Sequence, residues 1–144
     1  MKKIIILLML VVTSFTTFAK DRILSQVSEL PETSRTFIDK YYKAKEISHI
    51  KTEGYLLWKE YEIIFMDGAE VEFNDKGEWK SISSKIDTIP SEIIPEKIRE
   101  YMNKNYSGKK INKIERYGSG YELKINKGLE LKFDKEGNFK RLDD

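Results

Sequence analysis

The chain has 144 residues, with 26 Lys and Arg against 24 Asp and Glu, one histidine and no cysteine. The lack of cysteine excludes disulfide staples, thiol nucleophiles and thiolate metal sites, so the fold must rest on a hydrophobic core. One histidine leaves little for general acid–base catalysis, and the near balance of charge carries no argument for nucleic acid.

Residues 1–19 read as a secretory signal peptide. Met1-Lys2-Lys3 is a short positive start, and residues 4–12 form an unbroken apolar run. A polar stretch then leads to Thr17 and Ala19, the small residues expected before a cleavage site. A spanning helix needs about 20 apolar residues; this run stops after nine. A lipoprotein would carry a cysteine at the cut. The mature chain is expected to begin near Lys20, in the periplasm or outside the cell, with no membrane attachment. Without Lys2 and Lys3 it is formally neutral: residues 20–83 hold 10 basic and 13 acidic side chains, residues 84–144 hold 14 and 11. That asymmetry fits ordinary solvated faces, or a dipolar surface that orients the halves or a partner.

The mature chain says nearly the same thing twice. Residues 30–50 align without gaps on 94–114, and 61–82 on 121–142, with 15 of 43 positions identical. A period of this length marks an internal structural repeat, with a first unit at 20–83 and a second at 84–144. Each unit opens on Leu30-Pro31-Glu32 or Ile94-Pro95-Glu96; proline suits the first helical position, and glutamate suits the positive helix end. Helical spacing follows, placing Ser34, Phe37, Ile38, Tyr41 and Tyr42 on one face, matched by Ile98, Tyr101, Met102, Asn105 and Tyr106. Gly108 is a helix stop.

The period then changes to two. Tyr61, Ile63 and Phe65, then Val71 and Phe73, alternate with charged or polar neighbours, as do Tyr121, Leu123, Ile125, Leu131 and Phe133. This predicts antiparallel strands with one buried face. Asp67-Gly68 and Lys127-Gly128 read as tight hairpins. Gly77 and Gly137 close longer turns and require the left-handed region. A last strand in each unit carries Trp79 or Phe139 inward. Residues 47–53 and 111–117 read as a first strand with a bulge, because Ile47/Ile50 and Ile111/Ile114 break alternation. The expected fold is α+β: a tandem duplication of a helix followed by about four antiparallel strands, forming a long curved antiparallel sheet surface.

The pattern Leu-Pro, Phe37-Ile38, Tyr41-Tyr42, then Tyr61-Glu62-Ile63, Asp67-Gly68, Glu70-Val71-Glu72-Phe73, Gly77 and Trp79 resembles the PepSY-like family of small exported bacterial proteins, also called β-lactamase-inhibitor-like. The resemblance covers residues 30–142. It implies a periplasmic or secreted protein with two helix-plus-sheet repeats, and protein binding or peptidase inhibition as its role. It brings no catalytic residues.

The residues themselves agree that chemistry is scarce. His49 falls within a predicted strand and has Lys113 as its counterpart in the second unit. Asn74-Asp75-Lys76-Gly77-Glu78 lacks the alternating oxygen ligands of a calcium loop and reads as a hairpin. Paired glutamates such as Glu60/Glu62 and Glu70/Glu72 read as a solvated strand face. Lys109, Lys110, Lys113 and Arg116 beside Tyr117 form a small basic cluster diluted by Glu115 and Glu122. No catalytic, cofactor or metal residue is expected, nor nucleic acid as partner.

The units differ most between Ile50 and Tyr61, where ten residues stand against six between Ile114 and Tyr121. The longer segment holds Tyr55, Leu56, Leu57 and Trp58. If Tyr61, Ile63 and Phe65 point inward, then Trp58, Ile64 and Met66 point outward, where the second unit has Lys124 and Asn126. Either this face packs on the second unit or on residues 21–29, or Tyr55, Trp58, Ile64 and Met66 form a partner-binding patch. The expected function is an exported, non-enzymatic protein-binding module, such as an inhibitor of an exported protease or other enzyme. The alternatives are a carrier of a small apolar or peptidic ligand between helix and sheet, and a hydrolase using surface carboxylates.

Overall fold

A computed structural model describes residues 22–24, 26–54, 58–126 and 128–143. The expected signal peptide lies outside the described residues. The elements run β1 (Arg22–Leu24), α1 (Glu32–Tyr41), β2 (Ile47–Glu53), β3 (Glu60–Phe65), β4 (Glu70–Phe73), β5 (Trp79–Ser83), α2 (Glu96–Asn105), β6 (Ile111–Tyr117), β7 (Gly120–Ile125), β8 (Leu129–Phe133) and β9 (Phe139–Asp143). All nine strands form one antiparallel sheet in chain order, β1 to β9. The helices start at Glu32 and Glu96, so each proline stands one position earlier than expected, at the N-cap.

The strand register explains why two short helices suffice for a core. Leu24, Ile50, Ile63, Val71, Ile82, Ile114, Leu123, Leu131 and Leu142 are successive cross-strand partners, a single apolar row from one edge to the other. Both helices lay their apolar faces on that side. Ile38 and Tyr42 of the first, and Ile98 and Met102 of the second, are buried with Phe65, Phe73, Ile125 and Phe133 in one cluster. Tyr42 stacks on Phe65 with ring centroids 5.0 Å apart. These side chains pack the centre of the space between the helices and the sheet.

Bulges break the register between Ile47 and His49 and between Ile111 and Lys113, where the sequence breaks its alternation. The strand β1 was not expected. Its Leu24 faces Ile50 just as Ile82 of β5 faces Ile114, so it gives β2 the neighbour that β5 gives β6. Residues 22–24 thus extend the sheet edge and do not cover its outer face.

Gly77 and Gly137 have φ of 79° and 83°. Their surroundings differ. A Cβ on Gly77 would lie 2.7 Å from Ser34 Oγ and 2.8 Å from Pro31 Cβ, whereas one on Gly137 would meet Lys97 and Ile98 at 3.2 and 3.3 Å. The small, fully buried Ser34 lets the β4–β5 hairpin press on α1; its hydroxyl has no partner among the described residues. Gly77→Ala is therefore expected to cost about 2 kcal/mol or more and Gly137→Ala about 1 kcal/mol. Equal shifts in urea denaturation would contradict the tighter contact.

Candidate functional site

The sheet face away from the helices is polar. One register row on it reads Lys51, Glu62, Glu72, Ser81, Glu115, Glu122, Lys132, Arg141. Glu62 faces Glu72, and Glu115 faces Glu122, although like charges directly opposite each other repel. Lysines offset this: Lys51 reaches Glu62 at 2.9 Å, Lys113 reaches Glu115 at 2.7 Å and Lys132 lies 3.6 Å from Glu122. Burial, opposed by Lys113 and reinforced by Glu62, holds the Glu72 carboxyl above the usual carboxylate range. Among the described residues no group of three or more His, Cys, Asp or Glu is placed to hold a metal ion. His49 Nδ1 is 3.1 Å from Ser48 Oγ. In the Asn74–Glu78 turn, Asn74 Oδ1 accepts from the Lys76 and Glu78 amides at 3.0 and 2.9 Å, so its oxygen serves the hairpin itself.

The structure separates the four residues singled out from the sequence. Tyr55 lies outside the described residues. Trp58 stands on the β2–β3 connection and is 78% exposed. Its two described ends lie close together, since a Cβ on Gly54 would fall 2.0 Å from the Trp58 carbonyl oxygen. Ile64 is half-buried on the polar face, between His49 and Glu70. Met66 follows β3 at its other end and is 66% exposed. At about 3.3 Å per residue the six residues of β3, roughly 20 Å of strand, lie between Trp58 and Met66. Glu60, held by Lys80, and Glu62, held by Lys51, occupy the strand face between them. Neither Trp58 nor Met66 is packed inside, as the internal-packing reading required, and the two stand beyond opposite ends of β3, apart from one another.

A groove missed by the sequence reading lies on the helix side, between α1 and β5. Phe37, Tyr41 and Trp79 line it together with Lys40, Gly77 and Arg116, around a volume of about 330 Å³. Trp79 packs against the core while remaining half-exposed. The Arg116 guanidinium lies over its ring, 4.5 Å from the centroid, and Nη2 donates to the Trp79 carbonyl oxygen at 2.7 Å. Arg116 belongs to β6, so sequence periodicity within the first unit could not have placed it there.

The family described as "Putative beta-lactamase-inhibitor-like, PepSY-like" matches residues 59–141. Three crystal structures are similar along most of the chain, each with a TM-score of 0.81. A putative periplasmic protein of unknown function from Bacteroides vulgatus is 41% identical, over 87% of this chain and 100% of its own. A second putative periplasmic protein from the same organism is 34% identical, over 87% and 98%. A putative calcium-regulated periplasmic protein from Bacteroides thetaiotaomicron is 36% identical, over 86% and 97%. No curated protein matches the chain.

Proposed function

This chain belongs to the PepSY-like family, and from that premise we propose that it is an exported, non-enzymatic module that binds another exported protein. Residues 1–19 are removed on export, and the protein works in the periplasm. The periplasmic descriptions of its relatives support this placement, as does the signal-like amino terminus. The two helix-and-sheet units descend from a duplicated ancestor, which the two gap-free blocks of their alignment, 15 of 43 positions identical, support. An inhibitor of an exported peptidase or other enzyme is the form of binding that the family description favours.

The observation that carries this reading is Trp58. A tryptophan 78% exposed, on a connection four residues longer than its counterpart, adds nothing to the core. Tryptophan is among the residues that most often dominate binding energy at interfaces. The test uses the mature protein as bait in periplasmic extract, with captured proteins identified by mass spectrometry. Trp58→Ala is expected to weaken capture of the main partner by about 2 kcal/mol, roughly 30-fold. Its unfolding midpoint should barely move, as for other exposed positions. Undiminished capture by Trp58→Ala, or no partner captured by either protein, would overturn the proposal.

A further inference from the structure

The groove between α1 and β5 differs from its counterpart in the second unit in a way that points to a ligand. There, Tyr101 and Phe139 occupy the places of Phe37 and Trp79. Their rings stack 4.7 Å apart and only 10° from parallel, which closes the gap between helix and strand. In the first unit no such stack joins Phe37 to Trp79 among the described residues. Phe37 meets Phe73 edge-on at 5.6 Å, as Tyr101 meets Phe133, but its other close ring is Tyr41 of the same helix, at 4.9 Å. Trp79 is left facing Arg116, which arrives from the strand where the second unit begins. Among the described residues β9 is the edge strand beside β8, and no arginine from a neighbouring strand lies over Phe139.

The charges in this groove are unbalanced. Arg116 is half-buried, and among the described residues no carboxylate pairs with it. A guanidinium has five N–H donors in a planar fork, and one contact, to the Trp79 carbonyl, is made here. Lys40 Nζ lies 4.9 Å from the Tyr41 ring centroid, also with no acidic partner among the described residues. Glu78, the one acidic side chain on the rim, accepts from Asn74 Nδ2 at 2.9 Å. Two cations over an aromatic floor, with one acid turned to its own hairpin, complement an anion attached to an apolar body. Arginine in a partly dry setting takes a carboxylate through two parallel hydrogen bonds. The groove's volume suits a pair of side chains.

We propose that this groove binds an aspartate or glutamate side chain, flanked by an apolar residue, in an extended segment of another exported protein. The carboxylate takes the free edge of Arg116, and the apolar neighbour lies against Trp79 and Phe37. The inference rests on the protein being a binding module, but it uses a surface other than Trp58.

The test therefore starts from the Trp58→Phe protein, in which Trp79 is the sole tryptophan. An array of acetylated, amidated hexapeptides of randomised sequence is probed with it, and the best binder is titrated while Trp79 fluorescence is followed. Bound peptides are expected to carry Asp or Glu beside an aromatic or aliphatic residue. Changing that acid to its amide should weaken binding about tenfold, and Arg116→Gln should do the same. Applied together, the two losses should not multiply, because each removes the same contact. Lys40→Gln should give a smaller loss, and it keeps the test open if Arg116→Gln does not fold. Failure to bind any peptide, selection of peptides without acids, or an amide effect of equal size in wild-type and Arg116→Gln proteins would overturn the proposal. Trp58-dependent capture would be untouched by any of these outcomes.

Discussion

Alanine at Gly120 is expected to destabilise this protein by about 3 kcal/mol or more, lowering the unfolding midpoint by roughly 10 °C. Gly120 opens β7 with φ of 150°, a conformation that side chains rarely adopt. A Cβ there would fall 1.9 Å from the Phe133 carbonyl oxygen and 2.9 Å from two backbone atoms of Asp134. No rotamer change relieves a collision with backbone, so β7 and β8 would have to separate where Tyr121 pairs with Phe133. Gly118 is the internal control. It lies two residues earlier in the same turn, and nothing stands within 4 Å of where its Cβ would be. Gly118→Ala should stay within about 0.5 kcal/mol of wild type. The first unit has Glu60 in place of Gly120, after a longer connection. Similar midpoints for the two alanine variants in thermal denaturation would show that the strands do not meet as described.

Phe73→Ala and Phe133→Ala should each cost about 3–5 kcal/mol, the range for deleting a large aromatic side chain from a packed core. Both side chains are fully buried, and each meets a helix ring edge-on, Phe37 at 5.6 Å and Tyr101 at 5.4 Å. Trp79 and Phe139, which the sequence also sends inward, stand at the margin of that core. Phe139 is 38% exposed, stacks on Tyr101 and meets Phe133 edge-on at 5.8 Å, and Trp79 shares its face with Arg116. Their alanine variants should cost about 1–2 kcal/mol, the value of a partly exposed ring and its few ring contacts. Calorimetry on the four variants separates the two pairs. Losses as large at Trp79 and Phe139 as at Phe73 and Phe133 would mean that the core extends to the sheet margin.

What was legible in the sequence was whatever has a local cause. Alternation in Tyr61, Ile63 and Phe65 forces one strand face inward whatever the rest of the chain does. The 3.6-residue spacing of Ser34, Ile38 and Tyr42 does the same for a helix. Gly77 and Gly137 announce their turns because few other residues tolerate positive φ. Ile47 and Ile111 announce their bulges by breaking the period. The apolar stripe of each element, and hence an α+β fold with one covered sheet face, followed from these alone.

The positions that depend on two distant segments meeting were decided only by the tertiary structure. Periodicity assigns Trp79 to the inner face, but not to a place beside an arginine of β6. It assigns Trp58 and Met66 the same parity, but parity does not measure the length of the strand between them. It cannot see that residues 22–24 fill the edge of β2, since three residues carry no period. Nor can it tell that Gly120 lies against the Phe133 carbonyl, because that contact exists only once β7 and β8 have paired. Local backbone preference acts within a few residues, and such features reach the sequence as pattern. Close approach, exposure and charge pairing are set by which strands become neighbours, so the groove around Arg116 came into view only in the folded sheet.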